Sequence, residues 1–113
     1  MITREGRVKI KDLVITNFNK YRVGSGGDST NPNAGDLDAP LGSLTSVTGT
    51  SVGQTTIEYN FTISGSDYLG QTIKEVGIFD SGGTEMLIRV NYDGFGPLTS
   101  TDEVNFIITI EVD

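Results

Sequence analysis

Apolar and polar residues alternate along several short stretches of the chain, as they do in β-strands that place one face on a core. The clearest stretch runs from Thr55 to Ser64, where Ile57 and Tyr59 begin an unbroken alternation. The closing stretch, Val104 to Val112, alternates as well, and Ile107 is its only apolar residue on the polar side. Both predict antiparallel strands with one solvated face.

A predicted hairpin lies between these two strands. Ile73 to Phe79 and Met86 to Tyr92 are apolar stretches that flank Asp80-Ser81-Gly82-Gly83, which offers the glycines that a tight turn requires. Gly77 interrupts the first strand. Because glycine weakens a strand unless something needs the space, we expect another backbone or an aromatic ring to approach closely there.

The remaining pattern is weaker. Val8 to Ile15 predicts an N-terminal strand with a bulge near Lys11, and Tyr21 to Val23 predicts a short return strand. Leu44 to Val52 is interpreted as an edge strand and Ser66 to Gly70 as one turn of helix or a bend. No segment shows convincing helical periodicity.

Between Gly24 and Ser43 the alternation disappears, which predicts one long surface loop. Long loops in compact domains are usually functional or mobile. Leu37 and Leu41 are expected to hold its second half against the core.

The length of 113 residues suits a single domain, residues 1–113, with a modest core. Fifteen glycines punctuate the chain at the short intervals expected of turns. The fold class predicted is therefore all-β: a single-domain antiparallel β-sandwich or open barrel of about six to eight strands.

Charge is distributed unevenly. Residues 1–23 hold six basic and two acidic residues, a net charge of +4, and the rest of the chain has a net charge of −11. An acidic body repels phosphate backbones, so nucleic acid is not an expected partner. The basic residues Arg4, Arg7, Lys9 and Lys11 are predicted to meet solvent or an acidic protein surface. No apolar run approaches the ~18 residues that a membrane span needs, so no membrane is expected either.

Catalytic chemistry is not predicted. The chain has no histidine and no cysteine, and it contains no recognisable nucleophile–base pattern. Glu75 is interpreted as accepting hydrogen bonds from backbone or from Arg22 or Arg89, and Asp80 as making an Asx-turn. No enzyme activity and no cofactor are expected.

Two features suggest binding. Asp28, Asp36 and Asp38 supply hard oxygen ligands within one loop, which makes them calcium candidates, although their spacing does not match an EF-hand. Phe95 lies between glycines and before Pro97, and is a candidate for an exposed anchor in a neighbour's pocket.

The segment Ile73-Lys74-Glu75-Val76-Gly77-Ile78-Phe79-Asp80, with its turn and the apolar strand to Val90, resembles the hairpin of small β-rich virion proteins of tailed bacteriophages, of the tail-collar and tail-fibre attachment type. Tyr21 to Gly26, Asp38 to Gly42 and the closing strand are similar to further parts of those modules.

The resemblance implies a non-enzymatic structural protein of the virion, acting in tail, collar, baseplate or fibre attachment through protein–protein interfaces. Its implied partners are other virion proteins and copies of itself, most commonly in a trimer. A capsid decoration or head-fibre protein is the alternative within this class. A calcium-dependent or carbohydrate-binding β-domain is the alternative from another class.

Overall fold

The computed structural model describes residues 1–27 and 35–113, which form two antiparallel sheets and one α-helix. The elements in chain order are α1 (Arg4–Asn17), β1 (Lys20–Gly24), β2 (Pro40–Ser46), β3 (Thr50–Ser51), β4 (Thr56–Ser64), a 3₁₀ turn (Gly65–Tyr68), β5 (Ile73–Phe79), β6 (Met86–Phe95) and β7 (Glu103–Glu111). The all-β sandwich is confirmed, with seven strands within the predicted range.

The two sheets have the strand orders β2-β1-β5-β6 and β3-β4-β7. Their facing sides form the core, to which β4 contributes alternate side chains as predicted. Its members are 9% exposed or less and include Tyr21, Val23, Val47, Ile57, Tyr59, Phe61, Ile63, Ile73, Val76, Ile78, Leu98, Phe106 and Ile108. The rings of Tyr21 and Phe61 stack at 3.9 Å between centroids, joining one sheet to the other.

The predicted N-terminal strand is wrong, because residues 4–17 form helix α1. Thr3 caps the helix by accepting a hydrogen bond from the Gly6 N–H at 3.1 Å. The side of α1 that faces the sheets begins with long basic side chains and continues with Val14 and Ile15. Aliphatic stems of basic residues cover apolar surface, so the helical period is hidden from a count of apolar residues alone.

The region between β1 and β3 also differs from prediction. The predicted loop ends earlier, because its last residues, from Pro40 onward, form β2 and pair with β1. The predicted edge strand Leu44 to Val52 divides at the buried Val47, after which β3 joins the other sheet. The helical turn predicted near Ser66 is confirmed as the 3₁₀ turn.

Candidate functional site

Glu75 lies on the outer side of the four-stranded sheet and is fully buried, at 0% exposure. One carboxylate oxygen accepts hydrogen bonds from the backbone N–H groups of Gly26, at 2.7 Å, and Ala39, at 2.8 Å. The other oxygen accepts from the N–H of Asp38 at 2.8 Å. Such bonds offset the cost of removing a carboxylate from water. Glu75 thus fixes both ends of the β1–β2 connection to the sheet. The prediction that its carboxylate accepts hydrogen bonds from the backbone is confirmed.

The second half of that connection, residues 35–39, crosses the outer side of the sheet, and we call it the strap. Two arginines of the sheet hold it. The Arg22 guanidinium lies 3.2 Å from an Asp36 oxygen, and the Arg89 guanidinium lies 3.1 Å from an Asp38 oxygen. The Arg89 side chain is only 5% exposed. The strap is therefore fixed by charge-assisted bonds on both sides of β5.

Between the two arginines, the strap inserts Leu37 above Gly77. Leu37 is 5% exposed, and a β-carbon added to Gly77 would lie 3.1 Å from its Cδ2 and 2.7 Å from a ring carbon of Phe79. The close aromatic approach predicted for Gly77 is confirmed. The Arg22 guanidinium also lies over the Phe79 ring, 5.8 Å from its centroid. Leu37 is held in place as predicted, and Leu41 packs against the main core.

These contacts bear on the calcium candidates. Asp36 and Asp38 face arginines of the same chain, and Asp28 lies outside the described residues. Within residues 1–27 and 35–113, no group of three acidic, histidine or cysteine side chains is arranged to hold a metal ion. Arg22 and Arg89, suggested as partners of Glu75, instead pair with the aspartates of the strap.

The basic residues of α1 divide into two groups. Arg4 donates a hydrogen bond to Gln54, and the buried Lys11 donates one to the Ser51 hydroxyl at 2.9 Å and lies 3.3 Å from Asp12. An open cleft separates this part of α1 from the β3–β4 turn. Lys11 therefore anchors the helix to the three-stranded sheet.

Arg7 lies near Glu111 on the same side of α1. The hydroxyls of Thr55 and Thr56, and to a smaller extent the charge of Arg7, lower the pKa of the Glu111 carboxyl. Lys9 points away and is exposed. The solvent-facing or docking role predicted for the four basic residues is wrong for the buried Lys11, and it stays a prediction for the exposed Arg4 and Lys9 and the half-buried Arg7.

The β5–β6 turn is organised by Asp80. Its carboxylate accepts hydrogen bonds from the backbone and hydroxyl of Thr84, at 2.8 and 2.7 Å, and from the Glu85 N–H at 3.1 Å. The Thr84 hydroxyl contributes most to holding the pKa of Asp80 below its usual range. Gly83 adopts φ +71°, so the positive φ predicted for this turn is confirmed.

Phe95 is the last residue of β6 and is 40% exposed. Its ring lies edge-on to Phe106, with 6.0 Å between centroids, and 5.4 Å from the ring of Tyr92. The exposed side of Phe95 therefore lies where the open edges of β6 and β7 meet.

Sequence reasoning missed the two arginine–aspartate pairs and the burial of Lys11. A usable signal for the pairs is that Arg22 and Arg89 each lie between two apolar residues, on the strands that flank the glycine-containing strand β5. For Lys11, its spacing from Arg4 and Arg7 is the helical one, three and then four residues.

Among residues 1–27 and 35–113, no helix has the length and apolar character needed to cross a bilayer. Comparison of the sequence with models of known protein families and with curated proteins finds no match.

Proposed function

We propose that this protein is a non-enzymatic structural component of a tailed-phage virion, acting at the tail, collar, baseplate or fibre attachment through contacts with other virion proteins. The observation that carries the proposal is the position of the hairpin on which the resemblance rests. Its first strand, β5, is an inner strand of the four-stranded sheet, its second strand, β6, lies at the edge, and its characteristic residues organise the fold. Glu75 holds the β1–β2 connection, Gly77 admits Leu37, and Asp80 closes the turn.

The buried charges support an assembly role. Glu75, Lys11 and the Arg89 guanidinium all make hydrogen bonds or ion pairs within the chain that join one element to another. Groups used in this way stabilise a scaffold, whose function then resides in its surface. The edges of both sheets offer surface for such contacts.

The proposed functional state is a homo-oligomer of three copies, the stoichiometry that the resemblance implies. A trimer would cover part of the strand edges that a small domain leaves open. Light scattering at increasing protein concentration measures the stoichiometry. A monomer at all concentrations, together with isolated copies on the particle, contradicts this part of the proposal.

The proposal is tested on particles of the phage that encodes the chain. Purified virions are analysed by quantitative mass spectrometry, and cryo-electron microscopy then locates the protein. We expect a fixed copy number at the tail or its attachment point. Location on the capsid would favour a decoration or head-fibre protein. Absence from washed particles overturns the virion role.

A further inference from the structure

The four edge strands formed by the described residues differ in how they are protected against pairing with another chain. β3 has only two residues, β2 begins with a proline and contains a positive-φ glycine, and β6 has two irregularities in its pairing with β5. Short strands, prolines and bulges are the usual means of protecting an edge.

β7 carries none of these devices. It pairs with β4 through nine successive residues, from Glu103 opposite Ser64 to Glu111 opposite Thr56, with no interruption. Its sequence contains no glycine, proline, lysine or arginine. On its far side, no described strand pairs with it. Alternate residues of β7 therefore direct backbone N–H and C=O groups away from the sheet.

The side chains along β7 define what kind of strand fits there. Glu103, Ile107 and Glu111 lie on the outer side, and Ile107 is 58% exposed at the midpoint. Phe95 adds an exposed ring on the inner side, beside Phe106. An occupant thus meets an apolar centre between two acidic residues, which are about 27 Å apart at the rise of an antiparallel strand. The Glu111 carboxylate also accepts hydrogen bonds from the hydroxyls of Thr55 and Thr56, on the β4 side of β7.

A second copy of β7 is a poor occupant. Full antiparallel pairing of β7 with itself would centre on Ile107 and place Glu103 of each copy opposite Glu111 of the other. Like charges directly opposite each other destabilise a strand pair. Hydroxyl hydrogen bonds and Arg7 favour the ionised form of Glu111, so protonation does not relieve the repulsion near neutral pH.

We infer that the β7 edge binds an extended segment of a different protein, which adds a fourth strand to the β3-β4-β7 sheet. The segment carries basic residues about eight positions apart and an apolar residue midway between them. Main-chain hydrogen bonds supply the affinity, and the two carboxylates and Ile107 select the sequence. The inference rests on the proposed assembly role for its biological setting.

The probe is the capped nonapeptide Lys-Thr-Thr-Ser-Val-Ser-Thr-Thr-Lys, and the control peptide has glutamate in place of both lysines. Binding is measured by fluorescence anisotropy, and hydrogen exchange of the β7 amides by NMR. We expect the lysine peptide to slow exchange at alternate β7 amides that exchange rapidly in the free protein. The glutamate peptide should bind roughly tenfold more weakly.

Two variants locate the site. Ile107→Lys places a charge at the midpoint of the edge and should weaken binding of the lysine peptide by roughly tenfold. Asn60→Lys adds the same charge to the same side of the sheet, at the residue of β4 opposite Ile107, and should weaken it by only about twofold. Both positions are exposed, so both variants should fold.

Unchanged β7 exchange at millimolar lysine peptide overturns the inference. Protection that appears on raising the protein concentration alone, and is abolished by Ile107→Lys, also overturns it, because the occupant would then be a second copy. Absence of the protein from virions contradicts the assembly role but leaves these peptide results unaffected, so the two failures are distinguishable.

Discussion

At the scale of single residues, Glu75 and Gly77 show that β5 is buried on both faces of its sheet. Val76 and Ile78 point into the core, whereas Glu75, Gly77 and Phe79 point outward and are nevertheless buried. The strap makes the difference, because it covers the outer side that would otherwise be solvated. The sequence from Glu75 to Phe79 is therefore typical of a strand that is covered on both faces.

Gly77→Val should lower the free energy of unfolding by roughly 1–3 kcal/mol through overpacking. The added β-carbon meets Phe79 at 2.7 Å, and that ring is fully buried and has little room to move. Urea denaturation measures the effect. Gly82→Ala is the matched control, since its β-carbon would have no neighbour closer than 4.0 Å. Equal midpoints for the Gly77 variant and the wild type would show that the space is not needed.

Glu75→Gln should destabilise the fold by roughly 1–3 kcal/mol, because a carboxamide has one acceptor oxygen for the three N–H groups that the carboxylate satisfies. The amide protons of Gly26, Asp38 and Ala39 should also exchange faster with solvent. Glu103→Gln, at an exposed position, serves as the control for loss of charge. Unaltered exchange at these three amides would mean that the carboxylate does not hold the connection.

At the scale of elements, the C-terminal end of α1 is fixed to the core by one hydrogen bond. The Tyr59 hydroxyl, on β4, donates to the Phe18 carbonyl at 2.8 Å. Burial raises the pKa of Tyr59 to about 12. The neutral phenol is thus the form that the folded protein requires, both for the bond and for its place in the core.

Tyr59→Phe should lower stability at neutral pH by about 1 kcal/mol, the usual net contribution of such a bond. A folded-state pKa above the unfolded value near 10 gives stability that is complete below pH 10 and is lost as pH rises toward 12. The wild type should therefore lose stability over that interval more steeply than the variant does.

Denaturation at pH 8, 10 and 11 measures both parts of this prediction. Tyr68 and Tyr92, whose pKa values burial also raises, are present in both proteins and contribute equally to the background. If the free energies of unfolding of the two proteins fall in parallel with pH, the loss of stability is not caused by Tyr59.

At the scale of the whole molecule, basic residues are concentrated at the N-terminal end and acidic residues in the rest of the chain. Some of the basic residues of α1, however, make hydrogen bonds within the protein. Arg4 and Lys11 contact Gln54 and Ser51 across the cleft. Lys9 lies on the opposite, exposed side of the helix. If the basic stretch docks on another protein, we expect Lys9 to contribute more than its neighbours.

Lys9→Gln should leave the unfolding midpoint within about 0.5 kcal/mol of the wild type, as exposed substitutions generally do. If α1 docks on an acidic virion surface, incorporation into particles should fall, and the deficit should change with ionic strength because screening reaches ~8 Å at physiological salt. Lys20→Gln, outside the helix, is the control. Normal incorporation at every salt concentration would show that Lys9 only meets solvent.

The sequence by itself determined the strands that have one solvated side. In β4 and β7 each side chain faces either core or water, so the period of two is visible without knowledge of any neighbour. The β5–β6 turn was predictable for the same local reason, since Asp80 and its glycines form their contacts within a few residues. The close contact at Gly77 was predictable because a glycine weakens a strand unless a neighbour needs the space.

Tertiary structure alone decided the helix and the strap. In α1, basic side chains take positions where an isolated helix would show apolar ones, because Gln54 and Ser51, distant in sequence, receive their polar ends. In the strap, Asp36 and Asp38 are indistinguishable from solvated loop acids until the sheet brings Arg22 and Arg89 beneath them. Because the partners in these contacts are distant in sequence, only the assembled sheets show which residues meet.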